Sequence, residues 1–597
     1  MNFQARIDDS LSNSDSAGRT HLLWTVAEVL LIVGIFWAYG GQPAPDVNET
    51  HYLTKAKQFW NPQWCEGDLF LSSSNPHLLF YWMFGWLTLF MPLAAVAMVG
   101  RIVTWTLMAF AWHRLSKSVF PTRMISVLTA AIWLLLLDRC HMAGEWVVGG
   151  FEAKGLSYVF VIGGLAAMLR ERWGHVWICV GIASAFHVVV GGWSCVCFAV
   201  VCLTLWIKQK WFEPQKLVTL PSDSIEGRDS LASTLTCLLI GGLISLVGLL
   251  PPLLSTLGTA SETIHLANEI NVTRRLRHHQ LFEAFGSYRV GMFCALVFLW
   301  IMGQRFLTLV THRNVEGGSN VAYGGQSGSR CRTLNLFTIG TLGICVCGVL
   351  LSGISNTNTP AGETAVDLLI YYWFRLSDFA VPMAASFVFA VLLQRSWCCL
   401  TGKAFATSVV IGLIAMLSIV CVNRWSDPRP IADRRALPKY PAFPDRTLRT
   451  YENWKRACQW VRENTPEDSV FLTPARQQTF KWYAQRREVV NWKDSPQDAI
   501  GLVEWLTRIQ RFQRPQFSYQ GGLWAYSDQQ LRDIAKEYGV THIMTLQADF
   551  ESRVESGSTF RQVYPGSPRQ ERPMSCSRST RTFQVSIRFP LSLRHEA

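Results

Sequence analysis

Charge is what this sequence has least of. Asp, Glu, Lys and Arg make up 16% of its 597 residues, against about 25% in soluble globular chains. With a mean hydropathy of +0.17, that shortage excludes an ordinary water-soluble fold for most of the length. Cysteine at zinc-ligand spacing is also missing. The sixteen cysteines fall mostly inside apolar runs (Cys179, Cys195, Cys197, Cys202, Cys237, Cys345, Cys347, Cys421), where they behave as small hydrophobes. Cys398 and Cys399 are adjacent and cannot make a paired CxxC site, so no structural metal held by cysteine is expected. There is no P-loop, no GxGxxG after a strand, no HExxH and no GxSxG, which disfavours nucleotide-driven chemistry and zinc or serine hydrolysis. No small-residue cleavage site follows the first apolar run before Pro43, so that run reads as an anchor, not a removable signal. No internal repeat of fixed period is visible.

What is present is a succession of apolar runs: residues 21–39, 94–112, 124–137, 156–169, 175–190, 192–207, 233–254, 290–310, 334–353, 377–394 and 404–422. A spanning helix needs about 20 residues, so the chain is expected to be an α-helical polytopic membrane protein with about eleven spans. The shorter runs, 124–137 and 156–169, must borrow flanking residues or sit inside the bundle. Placing the N-terminus in the cytoplasm puts Arg114, Lys117, Arg123, Arg170, Arg172, Lys208, Lys210 and Arg395 on the inner side, as positive-inside bias requires. That bias, and not nucleic acid, accounts for the net charge of +13. One outer loop disobeys: residues 255–289 carry Arg274, Arg275, Arg277, His278, His279 and Arg289.

The expected organisation is a cytoplasmic tail (1–20), a transmembrane domain (21–422) with a first outer loop at 40–93, and a Pro-rich connector (423–450). A small extracytoplasmic α/β domain (451–565) and a disordered tail (566–597) follow. Within that α/β region, strands are expected at 470–473, 488–492 and 541–546. Helices are expected over 454–465, from 475, over 497–512 and over 528–538, with Gly539 as a C-terminal cap. Residues 77–91 (HLLFYWMFGWLTLFM) are aromatic but short of a span and read as an interfacial helix. Two inner loops, 212–232 and 314–329, read as linkers.

Ionisable groups at a membrane boundary cost solvation energy, which makes them candidates for function. Asp46, Glu49, His51 and Tyr52 lie directly behind the first span. On a helix Asp46 and Glu49 would share a face, and a desolvated carboxylate suits a general base. The plain alternative is a helix cap in a solvated loop. A second acidic loop, 138–155, holds His141, Glu145, Glu152 and Lys154, with Gly144, Gly149 and Gly150 permitting close approach; a structural salt bridge would explain its charges as well. Arg274, Arg275 and Arg277 could clamp a lipid phosphate through planar donor forks or touch anionic headgroups. Arg375 and Asp378 could join them or pair with each other. His187, inside an apolar run, reads as a hydrogen-bonded core residue.

The arrangement resembles the polytopic glycosyltransferases of the C superfamily (GT-C). The resemblance rests on an N-in first span and a long first outer loop with Asp46 and Glu49 close behind it. It also rests on an interfacial helix at 77–91, the acidic second loop (Glu145, Glu152), the stretch Tyr371-Tyr-Trp-Phe-Arg375 before a late span, and a C-terminal α/β domain. The usual DxD, ExD or Asp-Glu pair is replaced by Asp46-Val-Asn-Glu49. What the resemblance implies is transfer of a sugar from a polyprenyl-phosphate donor to an unnamed acceptor on the outer face of the cell (inner) membrane. Asp46, Glu49 and Glu152 would be catalytic, with Asp46 as base. His51, Tyr52, Glu145, Arg274, Arg275, Arg277 and Arg375 would bind substrate. The resemblance fixes no cofactor and leaves room for a divalent metal ion. The expected partners are the bilayer and the lipid-linked sugar, with no nucleic acid. A transporter or lipid flippase, and a non-catalytic scaffold, are the alternatives from other classes.

Overall fold

The computed structural model describes residues 3–212, 230–316, 326–397, 400–437, 439, 442, 444–474, 476–512, 526–546, 563–564 and 583–586. Much of both expected linkers, Cys398–Cys399, Pro438, Pro441, Ala475 and most of the expected tail lie outside the described residues.

The first half runs through α1 (Phe3–Gly40), α2 (Glu49–Trp60), α3 (Leu78–Phe84), α4 (Leu93–Val119), α5 (Ile125–Arg139), α6 (Ala153–Met168), α7 (Trp173–Phe186) and α8 (Val188–Phe212). After it come α9 (Leu231–Thr256), α10 (Ser261–Glu269), α11 (Arg277–Gln280), α12 (Ser287–Glu316), α13 (Gln326–Ile354), α14 (Pro360–Leu369), α15 (Arg375–Trp397) and α16 (Leu400–Trp425). Among the described residues, eight helices are long and apolar enough to cross a membrane: α1 from Arg19, α4, α8, α9, α12, α13, α15 and α16. The other three expected spans are shorter helices. α5 has 15 residues, α6 has 16 and α7 has 14, or about 21–24 Å at 1.5 Å per residue, against a hydrocarbon core of about 30 Å. The expected spans 175–190 and 192–207 are divided differently, because His187 leaves the helix and separates α7 from α8. The 77–91 stretch is also two pieces, α3 and a 3₁₀ turn at Gly85–Leu89. Gly85 sits so close to Ala56 that a Cβ would stand 2.6 Å from its carbonyl oxygen.

Polar contacts at the helix ends establish which ends lie together. Glu28 of α1 accepts from Lys117 at the end of α4 and from Ser126 at the start of α5. At the other end, Tyr39 donates to Asp138 of α5 (2.8 Å), and the Arg424 guanidinium of α16 lies 3.9 Å from the Tyr39 ring. Between these ends the core is aromatic, with Trp112 stacked on Trp133 at 4.4 Å and Tyr158 on Phe379 at 4.8 Å. α15 is buried in the middle, whereas α9 and α16 turn leucine and isoleucine outward.

α7 and α9 touch backbone to backbone. A Cβ on Gly181 would lie 2.2 Å from the Gly241 carbonyl oxygen, one on Gly241 2.3 Å from that of Trp177, and one on Gly248 2.3 Å from that of Ser184. Small residues at such spacing let membrane helices gain van der Waals contact that lipid cannot replace. Gly241→Leu is expected to force α7 and α9 apart and cost about 1–3 kcal/mol by overpacking, measured as a lower melting temperature in detergent. An unchanged melting temperature would show that this contact is dispensable.

The C-terminal region contains α17 (Ile431–Ala436), α18 (Pro444–Asn464), β1 (Val470–Leu472), α19 (Phe480–Ala484), β2 (Arg487–Glu488), α20 (Ala499–Phe512), α21 (Asp528–Tyr538), β3 (His542–Leu546) and β4 (Phe583–Ser586). The sheet order is β2-β1-β3-β4, with β1 parallel to β2 and β3 and β4 antiparallel to β3. Ser527 and Gln530 form a reciprocal cap on α21, and Gly539 ends it at φ +65°. Within the tail that the sequence predicts to be disordered, the described residues 583–586 form β4, which pairs with the edge of β3. β2 is shorter than the expected 488–492, because the chain there turns away to form the loop described next.

Candidate functional site

Where the start of α2 and the ends of α6, α7, α9 and α15 meet the C-terminal region, they form a cavity of about 740 Å³. Its wall combines the start of α2, the loop before α6, the break at His187, the last turn of α9, and Lys493–Leu502 of the C-terminal region. Six basic side chains (Lys154, Arg275, Arg375, Arg435, Arg476, Lys493) line it against three carboxylates (Glu145, Glu152, Asp498). It is an anion-attracting chamber.

Glu152 and Glu145 reach it because Asp378, buried in α15, accepts the backbone N–H groups of Met142 and Ala143, each at 2.8 Å. That fixes the loop over α15; Asp378 does not pair with Arg375. Arg375 instead points its Nε at Glu145 Oε2 (3.0 Å) and its Nη1 at His187 Nε2 (3.1 Å), and lies 4.0 Å from the Tyr372 ring. His187, expected to be an inert core residue, thus has its ring edge on the cavity. Glu152 accepts from Asn48 (2.8 Å) and from the Trp146 indole (3.1 Å), with Lys154 Nζ 3.9 Å away. Burial raises the Glu152 carboxyl above its ordinary range, against the pull of Lys154.

The guanidinium trio is split. Arg274 and Arg277 face outward, and Arg277 stands 3.5 Å from Glu283. Only Arg275 turns in, at the end of a π-helical turn over Ile270–Arg275, where its Nη2 donates to the Lys493 carbonyl (2.9 Å). The physical reason is local: the wider turn rotates one of the two neighbouring arginines inward.

Asp46 and Glu49 do not line the cavity. Glu49 is fully buried and forms a bidentate pair with Arg101 (both 2.6 Å), and it accepts the N–H groups of Phe151 and Asp46 (both 2.7 Å). Every lone pair is taken, so Glu49 is a structural tie and its expected catalytic role is withdrawn. Asp46 accepts the N–H of Val47 through Oδ1 (2.5 Å) and packs against Gly150, where a Cβ would come within 2.7 Å of it. It stands behind the wall.

His51 and Tyr52 do face the chamber. His51 Nδ1 stands 3.4 Å from Asp494 Oδ1, and the Gln497 amide lies 3.4 Å from Nε2, so Nε2 is the accepting nitrogen. Burial pushes His51 down to about 4, against the pull of Asp494. Asp494 is held in turn by Lys481 (2.9 Å) and Asn491 (3.0 Å), and Lys481 also reaches Asp68 and Glu488. Tyr52 meets His77 Nε2 at 3.2 Å.

Lys493 and Asp494 were missed from sequence. A signal existed: they follow a strand and precede a helix, the position from which α/β sheets present ligand-binding groups. Lys493 Nζ donates to Asn48 (2.6 Å), and burial, with Arg275 nearby, pushes its amine down to about 7.

The expected carboxylates do not fit a divalent metal ion. Glu49 is committed to Arg101, Glu152 to Asn48 and Trp146, and Asp46 lies outside the chamber. Among the described residues no group of three or more His, Cys, Asp or Glu side chains could hold one.

A family profile described as a domain of unknown function, DUF6798, matches residues 452–512, the segment that carries Lys481, Lys493 and Asp494. No curated protein matches the chain in sequence. Among solved structures the chain is similar to the oligosaccharyltransferase AglB of Archaeoglobus fulgidus in complex with an inhibitory peptide and a dolichol-phosphate. Identity is 12% and the TM-score 0.45, over 88% of this chain and 69% of that one. It is also similar to the oligosaccharyltransferase of that organism complexed with Zn and sulfate, with 14% identity and a TM-score of 0.38, over 87% and 67%.

Proposed function

We propose that the chain is a polytopic membrane glycosyltransferase that moves a sugar from a polyprenyl-phosphate donor to an acceptor hydroxyl or amide. The cavity and the C-terminal region face the extracytoplasmic side of the cell membrane, and the N-terminus faces the cytoplasm. The observation that carries this reading is the single chamber in which buried cations stand across from a carboxyl of raised pKa. The chamber also lies beside a lipid-facing helix. The last turn of α9 supplies Pro252, Ser255 and Thr256 to its wall while Leu253, Leu254 and Leu257 are 59–73% exposed on the outside. A prenyl chain could lie against those leucines with its phosphate reaching Arg275, Arg375 and Lys493.

The chemistry balances without an energy source. The acceptor heteroatom forms a bond to the anomeric carbon, the bond from that carbon to the phosphate oxygen breaks, and the lipid phosphate leaves with the electron pair. Fixed cations stabilise that developing charge. Glu152 takes the acceptor proton, with Asn48 and Trp146 holding its carboxylate in place. His51, oriented by Asp494, lines the same wall and positions the acceptor.

Binding of a polyprenyl phosphate to the purified full chain tests the reading. Arg275→Ala is expected to weaken it by about ten- to a hundredfold, the worth of a charge-assisted hydrogen bond; equal binding would end the proposal. The pH dependence is signed. A phosphate monoester has its second pKa near 6 and is largely dianionic by about pH 7, so changes above pH 7 report chiefly the protein. Bound phosphate favours charged Lys493, so its pKa rises on binding and affinity falls as pH climbs through 7, by up to about tenfold per unit. Lys493→Arg, which stays charged, is expected to flatten that fall.

A further inference from the structure

A second chamber lies where α1 between Thr20 and Glu28 meets the last turns of α4, apart from the site above. It measures about 410 Å³ and is lined by Thr20, His21, Trp24, Thr25, Glu28, His113, Lys117, Pro121 and Arg123. Its one carboxylate is already spent. Glu28 is buried and takes the Lys117 ammonium (2.9 Å), the Met124 N–H (3.0 Å) and the Ser126 hydroxyl. The remaining polar capacity is cationic or donating. The Arg123 guanidinium lies 4.9 Å from the Trp24 ring, on the exposed rim. His113 is buried at 5% exposure, and its Nε2 has no hydrogen-bond partner, standing 3.5 Å from Glu28. The Glu28 contact at 3.5 Å is too long for a good hydrogen bond, so an acceptor that enters the chamber would give the ring nitrogen the bond it lacks. Beside the mouth, Leu22 and Leu23 are 62% and 68% exposed on the outer face of α1.

We propose that this chamber binds the phosphodiester headgroup of an anionic membrane phospholipid. The phosphate lies between Lys117 and Arg123 and meets His113, and the acyl chains run along Leu22 and Leu23. The planar Arg fork suits phosphate oxygens, and an indole beside it is at home at the headgroup level. The apolar flank favours a lipid over a free anion. The site is independent of the transferase reading, because it shares no residue with that cavity.

Native mass spectrometry of the full chain, released from nanodiscs of phosphatidylcholine with phosphatidylglycerol, tests it. The wild type is expected to retain phosphatidylglycerol in preference to phosphatidylcholine. Arg123→Gln is expected to lower that retention about fivefold, the worth of one interfacial cation. Thr25→Trp fills the chamber and removes no charge; it is expected to lose the same lipid, which keeps the test open if either variant folds poorly. Retention unchanged in both variants would overturn the proposal. Displacement of the lipid by equimolar inorganic phosphate would make the ligand a free anion and overturn the lipid assignment.

Discussion

Glu152→Gln is expected to lower the rate of sugar transfer by about 10²–10⁴-fold, the usual worth of a positioned general base, while leaving polyprenyl-phosphate binding within about threefold. The substitution keeps the shape of the side chain and one accepting oxygen, enough for either Asn48 or Trp146, which meet opposite oxygens of the native carboxylate at 2.8 and 3.1 Å. It removes the capacity to take a proton and one of those two hydrogen bonds. Single-turnover transfer and equilibrium binding of the donor phosphate, measured on the same preparation, separate the two effects. Asp46→Asn is the companion experiment. Asp46 lies outside the chamber with its Oδ1 on the Val47 N–H, so its loss is expected to be much smaller. A loss at Asp46 equal to that at Glu152 would return the base to the first loop, and full transfer by Glu152→Gln would remove Glu152 from the mechanism.

Arg101→Met is expected to destabilise the fold by about 3–5 kcal/mol, the cost of leaving a buried charge without its partner. Arg101 is 1% exposed and Glu49 is fully buried. Arg101 also donates to the Gln42 carbonyl (2.6 Å), so α4, the end of α1 and the start of α2 are tied through one guanidinium. Thermal melting in detergent reads the loss. Adding Glu49→Gln to Arg101→Met is expected to recover part of it, since the amide is neutral and its one oxygen still accepts from either Phe151 or Asp46. If the double variant melts no higher than Arg101→Met, the penalty comes from packing and not from the orphaned charge. Because Glu49 and Asp46 hold Gly150 and the loop that carries Glu152, the same variant is expected to slow transfer as well.

These two experiments separate residues that looked alike in sequence. Asp46, Glu49 and Glu152 were three acids near helix ends, and nothing local distinguished a tie from a candidate base. Their difference comes from residues far along the chain: Arg101 claims Glu49, and Lys493 and Asn48 border Glu152. The arginine trio was ambiguous in the same way. Consecutive side chains on a turn point in different directions, and only the course of the π-helical turn decides that Arg275 enters and Arg274 does not.

The membrane character, the positions of the long helices, the α/β pattern after residue 450 and the clustering of charge at helix ends were determined by the sequence alone. Each of them follows from local hydropathy, helical or strand period and capping chemistry, which neighbouring residues settle among themselves. Tertiary structure decided between the two readings that the short runs of α5 and α6 left open, cut α7 short at His187, and brought Lys493 to a chamber begun by α2. It alone set the buried His113 ring nitrogen 3.5 Å from Glu28 with no hydrogen-bond partner. Those outcomes depend on helix rotation and on packing between segments hundreds of residues apart, and no local pattern encodes which way a side chain turns when two such segments meet.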